Sequence, residues 1–128
     1  MSGYRKYGNR KVRLADGTAF DSKKEYARWM ELQMLERTGR ITDLRRQVKY
    51  VLIPSQYREH ERFGQKGQPL KPYRKLLEHE CSYIADFVYR DCVLGQMVVE
   101  DTKGIKTDAY IIKRKLMLER YGIQIQEV

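Results

Sequence analysis

The stretch SYIADFVYRDCVLGQMVVEDTK, residues 82–103, decides how this chain is read. Two β-rich runs, 82–90 and 96–103, are parted by a short turn containing Gly95, a pattern that predicts an antiparallel hairpin. If the turn centres on Val93-Leu94, opposed residues have numbers summing to 187, and Asp86 faces Asp101. Directly opposed residues lie about 5 Å apart at Cβ. Side chains alternate along a strand, so Val99, Asp101 and Lys103 share one face, while Glu100 and Thr102 take the other. Asp101 and Lys103 then project together, roughly 7 Å apart at Cα by the strand rise. A slip of one residue would exchange Glu100 for Asp101.

Like charges opposed across a ladder destabilise it unless a cation lies between them. Both acids also interrupt apolar strands, where burying a carboxylate is costly. A divalent cation is the natural remedy, and oxygen ligands of this kind suit Mg²⁺ or Mn²⁺ rather than zinc. Asp86, Asp101 and the carbonyl of Thr102 form the expected protein share. In that arrangement Lys103 can orient a nucleophile or offset charge developing on phosphorus.

Outward from this hairpin, the chain reads as alternating short elements. KVRLADGTAF, residues 11–20, predicts a small hairpin with a two-residue turn at Asp16-Gly17. Ser22 and Glu25 have capping-box spacing, and the apolar positions that follow predict a helix over 23–38. Val48, Tyr50 and Leu52 predict a strand that stops at Pro54. Residues 57–75, basic and broken by Gly64, Gly67, Pro69 and Pro72, predict a flexible loop insertion. Thr107 can cap a helix that runs to Tyr121-Gly122, and Ile123 to Gln126 predict a last strand. Hairpin, helix, strand, hairpin, helix, strand is the order of an α/β or α+β domain, one mixed sheet with flanking helices. The expected organisation is a basic flexible arm over 1–13 and a single domain over 14–128.

Composition narrows the function classes. The 128 residues carry 26 Lys+Arg against 17 Asp+Glu, a formal charge of +9, which makes nucleic acid the leading partner. Two cysteines, Cys81 and Cys92, are too few for a disulfide framework or a four-cysteine zinc site, and free thiols in a reducing compartment are expected. No apolar run approaches the roughly 18 residues of a membrane span, and the basic N-terminus has no apolar stretch behind it. A cytoplasmic protein without a membrane partner is the expectation. P-loop, dinucleotide and HExxH patterns are absent. His60 and His79 lack metal-ligand spacing, and Tyr26, Trp29 and Met30 read as interior packing.

Asp86 followed by Asp101-Thr102-Lys103 resembles the PD-(D/E)XK nuclease signature, with Ala85 where the motif's name has proline. KYGNRKV, FDSKKEYARWMELQMLE, GRITDLRRQ, YIADFVY, VVEDTKGIKTDAY and KRKLMLERYGI together resemble a family of small phage and prophage proteins of that superfamily, long carried as a domain of unknown function. The resemblance implies a restriction-endonuclease-like fold and Mg²⁺-dependent endonuclease activity on DNA, in phage recombination or DNA processing that includes branched DNA. The cytoplasm of an infected or lysogenic host is the implied location. It also implies an acidic residue on the first helix at the metal, here Glu25, although the capping box accounts for Glu25 equally well.

Expected DNA contacts are Arg5, Lys6, Arg10 and Lys11 of the arm, and Lys106, Lys113 and Arg114 around the last helix, whose N-terminus at Thr107 offers backbone donors. The basic loop at 57–75 is a further candidate contact. Gln47 reads either as a supporting residue of the site or as an ordinary polar strand position. Glu100 is expected to turn away from the metal and pair with a basic neighbour. A homodimer is compatible with cutting two strands. The alternatives from other classes are a DNA-binding accessory protein without turnover and an RNA-directed nuclease or RNA-binding module.

Overall fold

The computed structural model describes residues 10–128. Arg5 and Lys6 of the expected arm lie outside the described residues. Arg10 and Lys11 are exposed, but Val12–Arg13 forms a strand, β1, paired antiparallel with β2 (Ala19–Phe20), so these two residues do not belong to the arm expected over 1–13. The turn between them holds three residues rather than two. Leu14 N–H donates to Thr18 O (2.8 Å), Gly17 N–H donates to Leu14 O (3.0 Å), and Gly17 takes the left-handed φ of 93° that closes such a loop.

Helix α1 spans Lys23–Arg37, with Ser22 extended at its N-cap and Ser22 Oγ accepting from Glu25 N–H (3.1 Å). The Glu25 carboxylate reaches back past the cap residue to Asp21 N–H (3.1 Å). Arg40 N–H bonds back to Leu35 O, and Gly39 at φ 79° turns the chain into β3 (Ile41–Ile53). That strand is much longer than the run of alternation around Val48 to Leu52 that announces it. Its first part is irregular: the register shifts between Thr42 and Arg45, where Asp43 adopts φ 56°.

A four-stranded sheet in the order β3-β6-β7-β8 forms the body, with β6 at Cys81–Asp91, β7 at Gln96–Asp101 and β8 at Gln126–Glu127. The hairpin register is the expected one: Phe87 opposes Glu100 and Val88 opposes Val99. Strand β7 stops at Asp101 instead of running to Lys103, because Thr102 N–H leaves the ladder to donate to the Asp86 carboxylate. Helix α2 (Asp108–Tyr121) returns the chain so that β8 lies parallel to β7. Thr107 caps it through Tyr110 N–H (3.1 Å), and Gly122 at φ 67° ends it. The last strand begins at Gln126 because Ile123 and Ile125 are spent on packing against α2 and the sheet.

Two apolar clusters lie on opposite sides of the sheet, and the result is an α+β domain. Leu32 of α1, flanked by Trp29 and Leu35, meets Ile41, Phe87, Tyr89 and Val98. Tyr110 and Met117 of α2 meet Leu52, Tyr83, Ala85, Val88, Val99 and Ile125. Residues 57–75, expected as a loop, belong instead to an antiparallel pair, β4 (Gln56–Phe63) and β5 (Pro69–Glu78). Pro69 opens β5, and the register shifts between His60 and Arg62, opposite Lys71 and Pro72, so neither proline has to donate within a regular ladder. Gly64 N–H to Gln68 O and Gly67 at φ 76° repeat the three-residue turn of the first hairpin.

Glu100 is fully buried on the α1 side. Arg28 grips it with two bonds, Nε to Oε1 (2.8 Å) and Nη2 to Oε2 (2.7 Å), and Tyr89 Oη donates to Oε2. The carboxylate raises the Arg28 pKa still further above its ordinary value. Breaking a buried ion pair from one side leaves an uncompensated charge, so Arg28→Ala is expected to cost about 3–5 kcal/mol in urea unfolding. Arg28→Met with Glu100→Gln, which removes both charges and keeps an acceptor for Tyr89, is expected to recover most of that loss.

Candidate active site

Four of the sequence-selected residues come together where β6, β7 and the start of α1 meet. Glu25, Asp86, Thr102 and Lys103 line one cleft of about 260 Å³, joined by Lys24 and Thr107. The backbone is distorted here. Ala85 and Val88 pack on the α2 side while Phe87 packs on the α1 side, so strict alternation breaks between Ala85 and Val88, around Asp86. On the neighbouring strand β3, Gln47 adopts φ 53°, a left-handed conformation unusual for a residue with a side chain. Strain of this kind persists only where surrounding contacts enforce it.

Asp86 is partly exposed, and its Oδ2 accepts both Thr102 N–H and Thr102 Oγ1–H, each at 2.8 Å. Asp101 is 1% exposed and lies behind the cleft wall rather than in it. Its Oδ2 accepts from Tyr83 Oη (2.5 Å), whereas its Oδ1 is buried with no hydrogen-bond donor. Lys103 Nζ stands 3.5 Å from that oxygen, an ion-pair distance too long for a good hydrogen bond, and 4.8 Å from the ring centre of Tyr110. Burial raises the Asp101 pKa, and the negative charge of Asp86 adds to the rise while Tyr83 and Lys103 oppose it.

Glu25, buried to 2% exposure, also has its pKa raised, first by desolvation and then by Asp86. Its oxygens are held by Asp21 N–H, by Gln47 Nε2 (3.1 Å to Oε1) and by Arg46, whose Nη2 is 3.6 Å from Oε1. Glu25 therefore bonds back to the residue before the α1 cap and also lines the Asp86 cleft. Among the described residues no three Asp, Glu, His or Cys side chains converge at metal-binding distances. The orphaned Asp101 Oδ1 and the acidic donor set nevertheless fit a hard divalent cation.

Tyr83, Arg46 and Gln47 hold the acids, and the sequence reading passed over Tyr83 and Arg46. Strict alternation places residue 83 on the face opposite Asp86, and only the break beside Asp86 lets Tyr83 reach Asp101. Gln47, read either as a supporting residue or as an ordinary polar position, touches Glu25. Of the basic residues near α2, Lys106 and Arg114 both pair with Glu127, at 3.2 and 3.0 Å, and so have an internal partner. Lys113 lines a neighbouring depression with Lys103, Tyr83 and Tyr110.

Carboxyl groups with raised pKa values bind protons more tightly folded than unfolded. Their stabilising effect is full below about pH 4 and fades as the pH climbs through the raised values. Asp101→Asn stays neutral, so its unfolding free energy is expected to gain on that of the native protein between about pH 4 and pH 7. A pH-independent difference in urea titrations would mean that Asp101 titrates as it does in the open chain. At position 47, Gln47→Val forces a β-branched residue into the left-handed region and removes the Glu25 contact. The expected cost is about 1–3 kcal/mol by the same assay.

No curated protein and no solved structure matches the chain. One family model matches residues 4–126, nearly the whole chain including the insertion, and its description is "Protein of unknown function (DUF1064)". The cleft that holds Glu25, Asp86 and Lys103 is therefore a feature of a chain that belongs to the DUF1064 family.

Proposed function

We propose that this protein is a metal-dependent endodeoxyribonuclease of the PD-(D/E)XK type, with a restriction-endonuclease-like fold. The observation that carries the reading is the approach of Asp86, in the middle of β6, to Asp101 and Lys103 at and just beyond the end of β7, with a buried Asp101 oxygen left unbonded 3.5 Å from the lysine. A mixed sheet with α1 and α2 on its two sides supports the same reading. Asp86 and Asp101, with the carbonyl of Thr102, would hold Mg²⁺ or Mn²⁺, which polarises a phosphodiester and lowers the pKa of a water molecule when bound.

The chain's own residues do the rest. Lys103 is half-buried, anchored by Asp101 and flanked by the Tyr110 ring, and is placed to orient the attacking water or offset charge on the phosphorus. Glu25 shares the cleft with Asp86, is held by Gln47 and Arg46, and would assist Asp86 and Asp101 in holding the cation. The N-terminus of α2 at Thr107 opens onto the same cleft and offers backbone donors to a phosphate. A homodimer would supply the two centres that a junction or duplex needs, and phage recombination or DNA processing in a host cytoplasm is the setting this reading implies.

The purified protein is expected to cut linear, nicked or four-way-junction DNA in Mg²⁺ or Mn²⁺ and to stop in EDTA. Asp86→Ala and Asp101→Ala are expected to abolish cleavage, and Lys103→Ala to reduce it about 10²–10³-fold. Cleavage that survives EDTA or Asp101→Ala would remove the mechanism. Salt-sensitive DNA binding without turnover in any metal would favour the accessory-protein reading.

A further inference from the structure

The β4–β5 hairpin stands away from the two cores. All residues of both strands are exposed except His60, which is half-buried. It continues the β3–β6 ladder outward: Ile53 opposes Cys81, and Gln56 opposes Glu78 beyond it. An isolated two-stranded hairpin is marginally stable in water, so a long, fully exposed one is built to meet something.

Its two faces differ in charge. Opposed residues share a face, which puts Arg58 and Lys75, His60 and Tyr73, and Arg62 and Leu70 on one side. Between Arg58 and Arg62 that side carries three cations and no acid, while Glu78 pairs with Gln56 at the base of the hairpin, beyond a register shift. The opposite side takes Glu59 and Arg74, Tyr57 and Leu76, and, by alternation, Glu61. There Arg74 is spent on the Tyr57 ring, 4.1 Å from its centre. On the cationic side His60 and Tyr73 stack at 5.0 Å, forming a rigid aromatic centre between the charges.

We infer that the cationic face of this hairpin is a DNA-binding β-ribbon that enters the major groove. A two-stranded ribbon fits the B-form major groove, which is about 12 Å wide. Four residues of strand rise set Arg58 and Arg62 about 14 Å apart at Cα, enough for each to reach a different wall of phosphates while the His60–Tyr73 pair faces the base edges. An A-form RNA duplex hides its major groove from such a ribbon, so double-stranded DNA is the partner. The inference rests on the DNA half of the proposed function and not on turnover.

The test is anisotropy of a labelled linear DNA duplex with the full-length protein in EDTA, where cutting is blocked. Arg58→Gln, Arg62→Gln and Lys75→Gln combined should remove three phosphate contacts and lower the log–log salt slope by roughly 2.7. The native protein should then lose about fortyfold more affinity than the triple variant between 50 and 200 mM salt. Arg62→Gln alone should lower the slope by about 0.9, and Arg74→Gln, equal in charge lost but on the other face, should leave it unchanged.

Equal salt slopes for native and triple variant would overturn the inference. So would an Arg74→Gln loss as large as that of Arg62→Gln, a matched RNA duplex that competes better than DNA, or a variant whose sedimenting mass shifts along with its affinity. Failure of the native protein to bind DNA at all would sink the proposed function as well. Binding that the triple variant retains sinks only the ribbon.

Discussion

Two adjacent carboxylates, Glu100 and Asp101, are buried at the end of strand β7, and the elements packed around the sheet accommodate them. Being neighbours on a strand, they point to opposite sides of the sheet, so one partner cannot serve both. The α1 side answers Glu100 with the forked guanidinium of Arg28 and the phenol of Tyr89, and nothing is left over. The α2 side answers Asp101 only in part, because Tyr83 takes one oxygen and Lys103 stays at ion-pair distance from the other. A structural ion pair and an incompletely satisfied acid thus sit one peptide apart. The difference between them separates a carboxylate whose oxygens are both bonded from one that keeps an oxygen without a donor.

The local distortion follows from the same constraint. Asp86 faces the end of β7, and a second regular pair there would bring two carboxylates together with no donors between them. Instead the Asp86 oxygen takes the backbone and hydroxyl of Thr102, which pulls residue 102 out of the ladder and starts the loop that carries Lys103. On the other flank Gln47 is turned into the left-handed region, and its amide reaches Glu25. Three acids are then held by donors from β3, β6, the loop after β7 and the residue before the cap of α1, and the two most buried have their proton affinity raised. An environment that disfavours carboxylate charge is one that a divalent cation stabilises.

The insertion follows different rules. It has no core, its prolines lie at the start of β5 and where the ladder is irregular, and three of its cations share one face. The body of the domain uses charge to satisfy charge internally, as with Lys106 and Arg114 on Glu127, while the hairpin leaves Arg58, Arg62 and Lys75 facing solvent together.

By itself the sequence determined what short-range physics controls. Ser22 and Thr107 mark the helix starts, Gly122 the end of the second helix, and the turn at Gly95 sets the register in which Phe87 opposes Glu100. The α+β class and the nearness of residue 86 to the end of β7 were legible from those signals, whereas Glu25 was brought to the same cleft only by the family resemblance. Only the tertiary structure decided that Arg28 would neutralise Glu100 from 72 residues away, that Tyr83 would hold Asp101, and that residues 57–75 would pair as strands. Each of these breaks a local pattern: a partner far along the chain, a lapse in strand alternation, prolines within a ladder. Local propensity has no means to register such exceptions, because the energy that favours them comes from contacts formed only once the chain has folded.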